Sequence, residues 1–200
     1  TGASEPYNLA QWYAAGKFAK YKTVSWLEQE DALKITFTYQ AACIPTFEFT
    51  VTYTAHFDGK LGVCVNYAGL SGMPDMPVLA LDFKMKKQLC NFRYYGLGPD
   101  ENYSDRCKGA RLGLWKSTAK ENLSGYLNPQ ECGNRTGVRT LSVHDDMQHG
   151  LTFQKASAPF EMSVLPYSAY ELENAMHLDE LPSVRYTWVR IAAKQMGVGG

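Results

Sequence analysis

Thr46-Phe47-Glu48-Phe49-Thr50-Val51-Thr52-Tyr53-Thr54-Ala55-His56-Phe57-Asp58-Gly59-Lys60-Leu61-Gly62-Val63-Cys64-Val65-Asn66-Tyr67 decides the fold class. Phe47, Phe49, Val51, Tyr53, Ala55 and Phe57 alternate with Glu48, Thr50, Thr52, Thr54 and His56. A period of two puts the apolar set on one side of an extended strand and the polar set on the other. Leu61, Val63, Val65 and Tyr67 resume the alternation after Asp58-Gly59. Asp-Gly between two alternating runs supplies the positive φ angles of a tight hairpin. The stretch reads as two long antiparallel strands.

The same pattern continues outward. Residues 22–29 and 33–39 read as a strand pair around Glu30-Asp31. Further strands are expected over 78–85, 90–95, 112–115, 138–143, 151–155, 160–165 and 184–191. Strands this frequent, without helices between them, argue for antiparallel sheets rather than βαβ units. Residues 71–77 form a turn-rich connection rather than a domain boundary. One helix is predicted. Ser168 caps it, Glu171 completes a capping box, and Leu172, Ala175 and Met176 make its apolar stripe up to about His177.

Composition narrows the function classes. Lys plus Arg is 20 and Asp plus Glu is 20, so the formal charge is zero. A neutral chain lacks the basic footprint that nucleic acid or an anionic membrane requires. No run of 18 apolar residues occurs, so no segment reads as a membrane-spanning helix. Thr1 to Pro6 has neither a basic start nor an apolar stretch and does not read as a signal peptide.

The five cysteines, Cys43, Cys64, Cys90, Cys107 and Cys132, are odd in number and contain no C-x-x-C pair. They read as reduced thiols, with Cys43 and Cys64 as small hydrophobes in apolar strand patterns. The four histidines have no metal-ligand spacing. No nucleophile elbow, phosphate loop or His-Glu-x-x-His occurs. Asn102-Tyr103-Ser104, Asn122-Leu123-Ser124 and Asn134-Arg135-Thr136 match the glycosylation pattern, a match too frequent by chance to carry weight.

Two runs concentrate acids, an arginine, an asparagine and turn residues between strands. They are Gly96-Leu97-Gly98-Pro99-Asp100-Glu101-Asn102-Tyr103-Ser104-Asp105-Arg106 and Pro129-Gln130-Glu131-Cys132-Gly133-Asn134-Arg135. An acid and an arginine in such a loop either form a hydrogen-bonded anchor, or the carboxylate faces a sugar hydroxyl or acts as an acid or base. The residues alone leave both readings open, and the anchor is the simpler.

With Trp12 and Ala15-Gly16, Pro74 and Pro77, Leu165-Pro166-Tyr167-Ser168, Leu172 with His177, and Met196-Gly197-Val198-Gly199-Gly200, these runs keep one order along most of the chain. In that order they resemble the C-terminal β-sandwich domain of family 2 β-galactosidases. Cys132 stands where the family pattern usually has asparagine.

The resemblance implies an all-β fold: a large antiparallel β-sandwich of the galactose mutarotase kind, with one short helix near residues 169–177. Residues 1–200 would form a single domain. That domain would be a fragment lacking its first strands and the tryptophan-bearing loop after Gly200. It implies a non-catalytic part of a retaining β-galactosidase that hydrolyses terminal β-D-galactosides such as lactose. Both catalytic glutamates and the metal sites of the family lie on a separate barrel. No catalytic, cofactor-binding or metal residue is therefore assigned here. Glu101, Asn102, Tyr103, Asp105, Arg106, Glu131, Asn134 and Arg135 are read as structural. The partners implied are the remaining domains of the parent enzyme and further copies of it, with galactoside contacted only indirectly. The compartment is cytoplasm or periplasm. Two alternatives stay open. One is a stand-alone carbohydrate-binding module using Tyr94, Tyr95, Tyr103 and Trp115. The other is an aldose mutarotase-like enzyme, which needs a convergent histidine and glutamate.

Overall fold

The computed structural model describes the backbone of residues 5–197 and the side chains of residues 10–197. Its elements in chain order are α1 (Glu5–Lys17), β1 (Lys20–Glu28), β2 (Ala32–Gln40), β3 (Glu48–His56), β4 (Leu61–Asn66), β5 (Val78–Lys86), β6 (Asn91–Gly98), β7 (Arg111–Thr118), β8 (Arg135–Val138), β9 (Thr140–His144), β10 (Gly150–Gln154), β11 (Phe160–Leu165), α2 (Ala169–Glu173) and β12 (Tyr186–Gln195). Every strand pairing is antiparallel, and the fold is all-β as the alternation predicts. Among the described residues, no helix is long and apolar enough to cross a membrane.

The chain divides at the turn-rich 71–77 connection into two compact units, one ending at Pro77 and the other beginning at Val78. In the first, β1-β2-β3-β4 form one meandering sheet. The predicted Asp58-Gly59 hairpin forms, with Gly59 at φ 87° and Val51 opposite Val65 and Tyr53 opposite Val63. Period two then gives one apolar and one threonine-rich face. Cys64 falls on the threonine face opposite Thr52 and is exposed, not buried as a hydrophobe. Its neighbours Val63 and Val65 take the other face. The 13-residue helix α1 was not foreseen. Its sequence has no apolar stripe of helical period; tertiary contacts of Trp12 hold it instead. The Trp12 indole donates to Pro74 O at 3.0 Å and packs on Phe47 and Tyr67.

In the second unit, β10-β9-β6-β7 and β5-β12-β11-β8 form two sheets around one core. Phe92, Val138, Leu141, Val143, Met162, Val164 and Val189 fill it. The expected strand over 138–143 is interrupted at Arg139. Gly137 takes φ 61°, and the chain leaves the β11 sheet after Val138 to join the β6 sheet at Thr140. The consecutive strands β8 and β9, joined at Arg139, thus link the two sheets. The capping box at Ser168 is present, with Ser168 Oγ accepting from Glu171 N and Glu171 Oε2 from Ser168 N. The helix stops at Glu173, earlier than predicted. Leu172 and Ala175 are buried, but Met176 lies beyond the last turn and is 64% exposed.

Candidate functional site

The loop from Gly98 to Ala110 is built around Glu101. Its Oε1 accepts from Arg106 Nη2 at 2.6 Å and from the Tyr126 hydroxyl. Its Oε2 accepts from Ser124 Oγ at 2.8 Å and Gly133 N at 2.6 Å. Arg106 also donates to Tyr126 OH at 3.2 Å. Four donors fill the carboxylate's lone-pair directions. Burial pushes its pKa up, but the hydrogen bonds from Tyr126, Gly133, Ser124 and Arg106 outweigh burial and hold it below the ordinary value. Gly133 can present its N–H there only at φ 71°, and a Cβ on it would fall 2.5 Å from Asn122 Nδ2.

Asn102 sits one residue along and is 2% exposed. Its Nδ2 donates to Leu97 O and Asp100 O, and its Oδ1 accepts from Thr136 N and Oγ1. Tyr103 is buried beneath the Arg106 guanidinium, 5.4 Å from its ring centroid, and burial raises its pKa. Asp105 is exposed. A Cβ on Gly197 would lie 2.6 Å from Asp105 Oδ2, so the start of the Met196–Gly200 run passes directly against this loop. Residues 198–200 of that run lie outside the described residues.

The second motif does not assemble as one group. Glu131 pairs with Arg190 Nη1, and Arg190 is also held by both oxygens of Asp82 at 2.7 and 2.9 Å. Arg135 donates instead to Tyr94 OH, Pro99 O and Asn134 O. Asn134, fully buried, donates to Asn102 O and Glu161 Oε2. Asn122 donates to Gly133 O and Val164 O. Burial raises the pKa of Cys132, whose Sγ accepts from Ser124 N.

A cleft of about 570 Å³ opens beside the hub, lined by residues 98–102 and 105–110. Asp100, Asp105, Arg106 and Lys108 give it charges of both signs. Such a cleft offers hydrogen bonds but no aromatic floor. Of the four rings proposed as a sugar platform, Tyr94 and Tyr103 are buried. Trp115 is half-buried, with its indole donating to Gly96 O. Tyr95 alone of the four is exposed. His144 and His149 are engaged around the Asp145 turn. Among the described residues, no group of three or more His, Cys, Asp or Glu is placed to hold a metal ion.

Ser124, Tyr126, Asp82, Glu161 and Arg190 complete these networks, yet no motif announced them. Their side chains lie 20 to 108 residues from a partner, for example Tyr126 at 20 from Arg106 and Arg190 at 108 from Asp82. A buried carboxylate in a β-bulged pairing, as Glu161 is between Phe160 and Met162, carries no linear signal.

The family model described as "Beta galactosidase small chain" matches residues 3–200. A β-galactosidase of Halalkalibacterium halodurans is 42% identical over 100% of this chain and 20% of its own length. A β-galactosidase of Streptococcus thermophilus is 37% identical over 100% of this chain and 19% of its own. A "Beta-galactosidase small subunit" of Latilactobacillus sakei is 36% identical over 86% of this chain and 57% of its own. The chain thus spans about a fifth of the length of the first two relatives.

Proposed function

The chain belongs to the β-galactosidase small-chain family, and from that premise we propose that it is a non-catalytic C-terminal domain of a retaining β-galactosidase. The parent hydrolyses terminal β-D-galactosides such as lactose. This domain contributes a rigid scaffold, supports the active site and makes subunit contacts in a homo-oligomer. Its catalytic groups and any metal ions belong to the rest of that enzyme.

The observation that carries the reading is the saturation of Glu101. A retaining glycosidase needs one carboxylate free to attack the anomeric carbon and a second able to exchange a proton. Glu101, the carboxylate of the longest family motif, lines the cleft but accepts from four donors, which hold it ionised. It is suited to fixing a loop, not to attack. Glu131 and Asp82 are paired with Arg190.

Purified chain should hydrolyse a nitrophenyl galactoside no faster than buffer, while the full-length protein turns it over. Robust turnover by the chain, free of host enzyme, would remove the proposal. Titration calorimetry with galactose and lactose tests the stand-alone binding module, which requires a Kd in the millimolar range or tighter. The burial of Tyr94 and Tyr103 predicts no such binding.

A further inference from the structure

The sheet of the first unit keeps an apolar face that its own residues dress only at one end. Register puts Val24 and Trp26 of β1 beside Phe37 and Ile35 of β2, and the same face runs on through β3 to Val63 and Leu61 of β4. At one end Trp12, Phe47, Tyr67, Phe49 and Tyr39 form a connected ring cluster. At the other, Trp26 is 69% and Leu61 60% exposed, with Val24 and Val63 at 38% and 36%. The opposite face carries Thr36, Thr38, Thr50, Thr52 and Thr54 and needs no cover. Contiguous apolar patches of this kind mark interfaces. The strand β1 is exposed along all nine residues and forms one edge of the sheet, where unpaired backbone groups invite a neighbour.

The relatives indicate the occupant. About four-fifths of the Halalkalibacterium halodurans β-galactosidase lies outside the matched region. The Latilactobacillus sakei relative is named a small subunit, and a subunit is held in its assembly by surface contact rather than by the peptide chain. Such contacts are apolar and extensive, on the order of 800 Å² per partner for a standard interface. Three strands of nine residues and one of six, about 4.8 Å apart, present roughly 540 Å² of face, one end of which the ring cluster already covers.

Resting on the function proposed above, we infer that this face is the docking surface for the part of the β-galactosidase that lies outside these 200 residues. Hydroxyl-radical footprinting of the chain alone and of the full-length protein tests it. Trp26 and Leu61 should be oxidised readily in the chain and several-fold less in the full-length protein. Cys64, on the threonine face, should react alike in both. Equal oxidation of Trp26 in the two proteins, or equal protection of Cys64 and Trp26, overturns the inference. So does a dimer of the isolated chain that shields Trp26, which makes a second copy the occupant. Trp26→Glu combined with Val63→Lys should leave the melting temperature of the chain unchanged and lower that of the full-length protein. An equal loss in both would place the face inside the chain's own core. Activity is not a readout here, so a full-length protein unable to hydrolyse galactosides would remove the proposed function and leave this result standing.

Discussion

The two units use the same strand grammar and reach different ends. In the first, β3 alternates apolar and threonine residues, yet Val51 is its one buried side chain. In the second, all six residues of β11 are buried, the polar Glu161 and Ser163 included. The second unit has two sheets around one core, whereas the first has one sheet and a helix. A sheet must bury its apolar face against another layer to gain from it. Alternation in sequence therefore says which face is apolar, and layer count says how much stability that face yields.

The largest effect that breaks or sharpens this contrast comes from paired truncations. Phe92 is 1% exposed in the core of the second unit, and Phe92→Ala should cost about 4 kcal/mol of stability through lost burial and a residual cavity. Phe37, half-buried on the apolar face of the first, should cost less, about 2 kcal/mol on the same change, because it loses less burial and leaves no enclosed cavity. Urea denaturation of each variant measures both. Equal losses would mean that the two units are packed alike.

Next comes the hub at Glu101, which the second unit has and the first lacks. Glu101→Ala leaves the N–H of Gly133, two hydroxyls and a guanidinium without their acceptor, for an expected loss of about 3 kcal/mol. Because its folded pKa lies below the unfolded one, its contribution is present above the unfolded value and fades as pH falls through the folded value. The gap between wild type and Glu101→Ala should therefore narrow in acid. A gap that stays constant from neutral pH down to strongly acidic pH would show that the carboxylate is not held ionised by its donors.

How far the sequence reached follows the same division. The 46–67 hairpin was legible because its register is set by Asp58-Gly59 and by alternation, both local. The Ser168–Glu171 cap was legible for the same reason. The break at Arg139 was not, although Val138 falls out of phase with Leu141 and Val143; that one-residue slip reads as a break only once Gly137 is seen at positive φ. Nor was α1, which depends on Trp12 meeting Pro74, 62 residues away. The three sequon-like asparagines show the limit most plainly. Asn102, Asn122 and Asn134 matched a surface pattern, yet they are 2%, 4% and 0% exposed, because their amides are spent bridging loops and strands. The motif runs identified the loops around Glu101. They did not reveal that Glu131 would find Arg190 rather than Arg135, because that choice is made across a sheet.

The smallest expected effect is also the most diagnostic, because its sign opposes that of Glu101. Glu161 is 8% exposed, and its Oε2 accepts from Asn134 Nδ2 and Gln195 N. Burial raises its pKa, and these hydrogen bonds together with Lys194 offset only part of that. A carboxyl with a raised folded pKa favours the native state below its unfolded value and penalises it as pH rises through the folded value. Two carbonyl oxygens of the same partners, Asn134 Oδ1 and Gln195 Oε1, are buried without a donor among the described residues. Glu161→Gln keeps an acceptor for the existing bonds and removes the buried charge. It should stabilise the chain by on the order of 0.5–1 kcal/mol at neutral pH, within the range of ordinary stabilising substitutions. The gain should shrink toward zero in acid, where wild-type Glu161 is itself neutral. Thermal melts of the pair across that pH range read it directly. A loss of stability at neutral pH, or a difference that does not vary with pH, would mean that the second unit tolerates this charge as readily as the open sheet of the first tolerates its exposed rings.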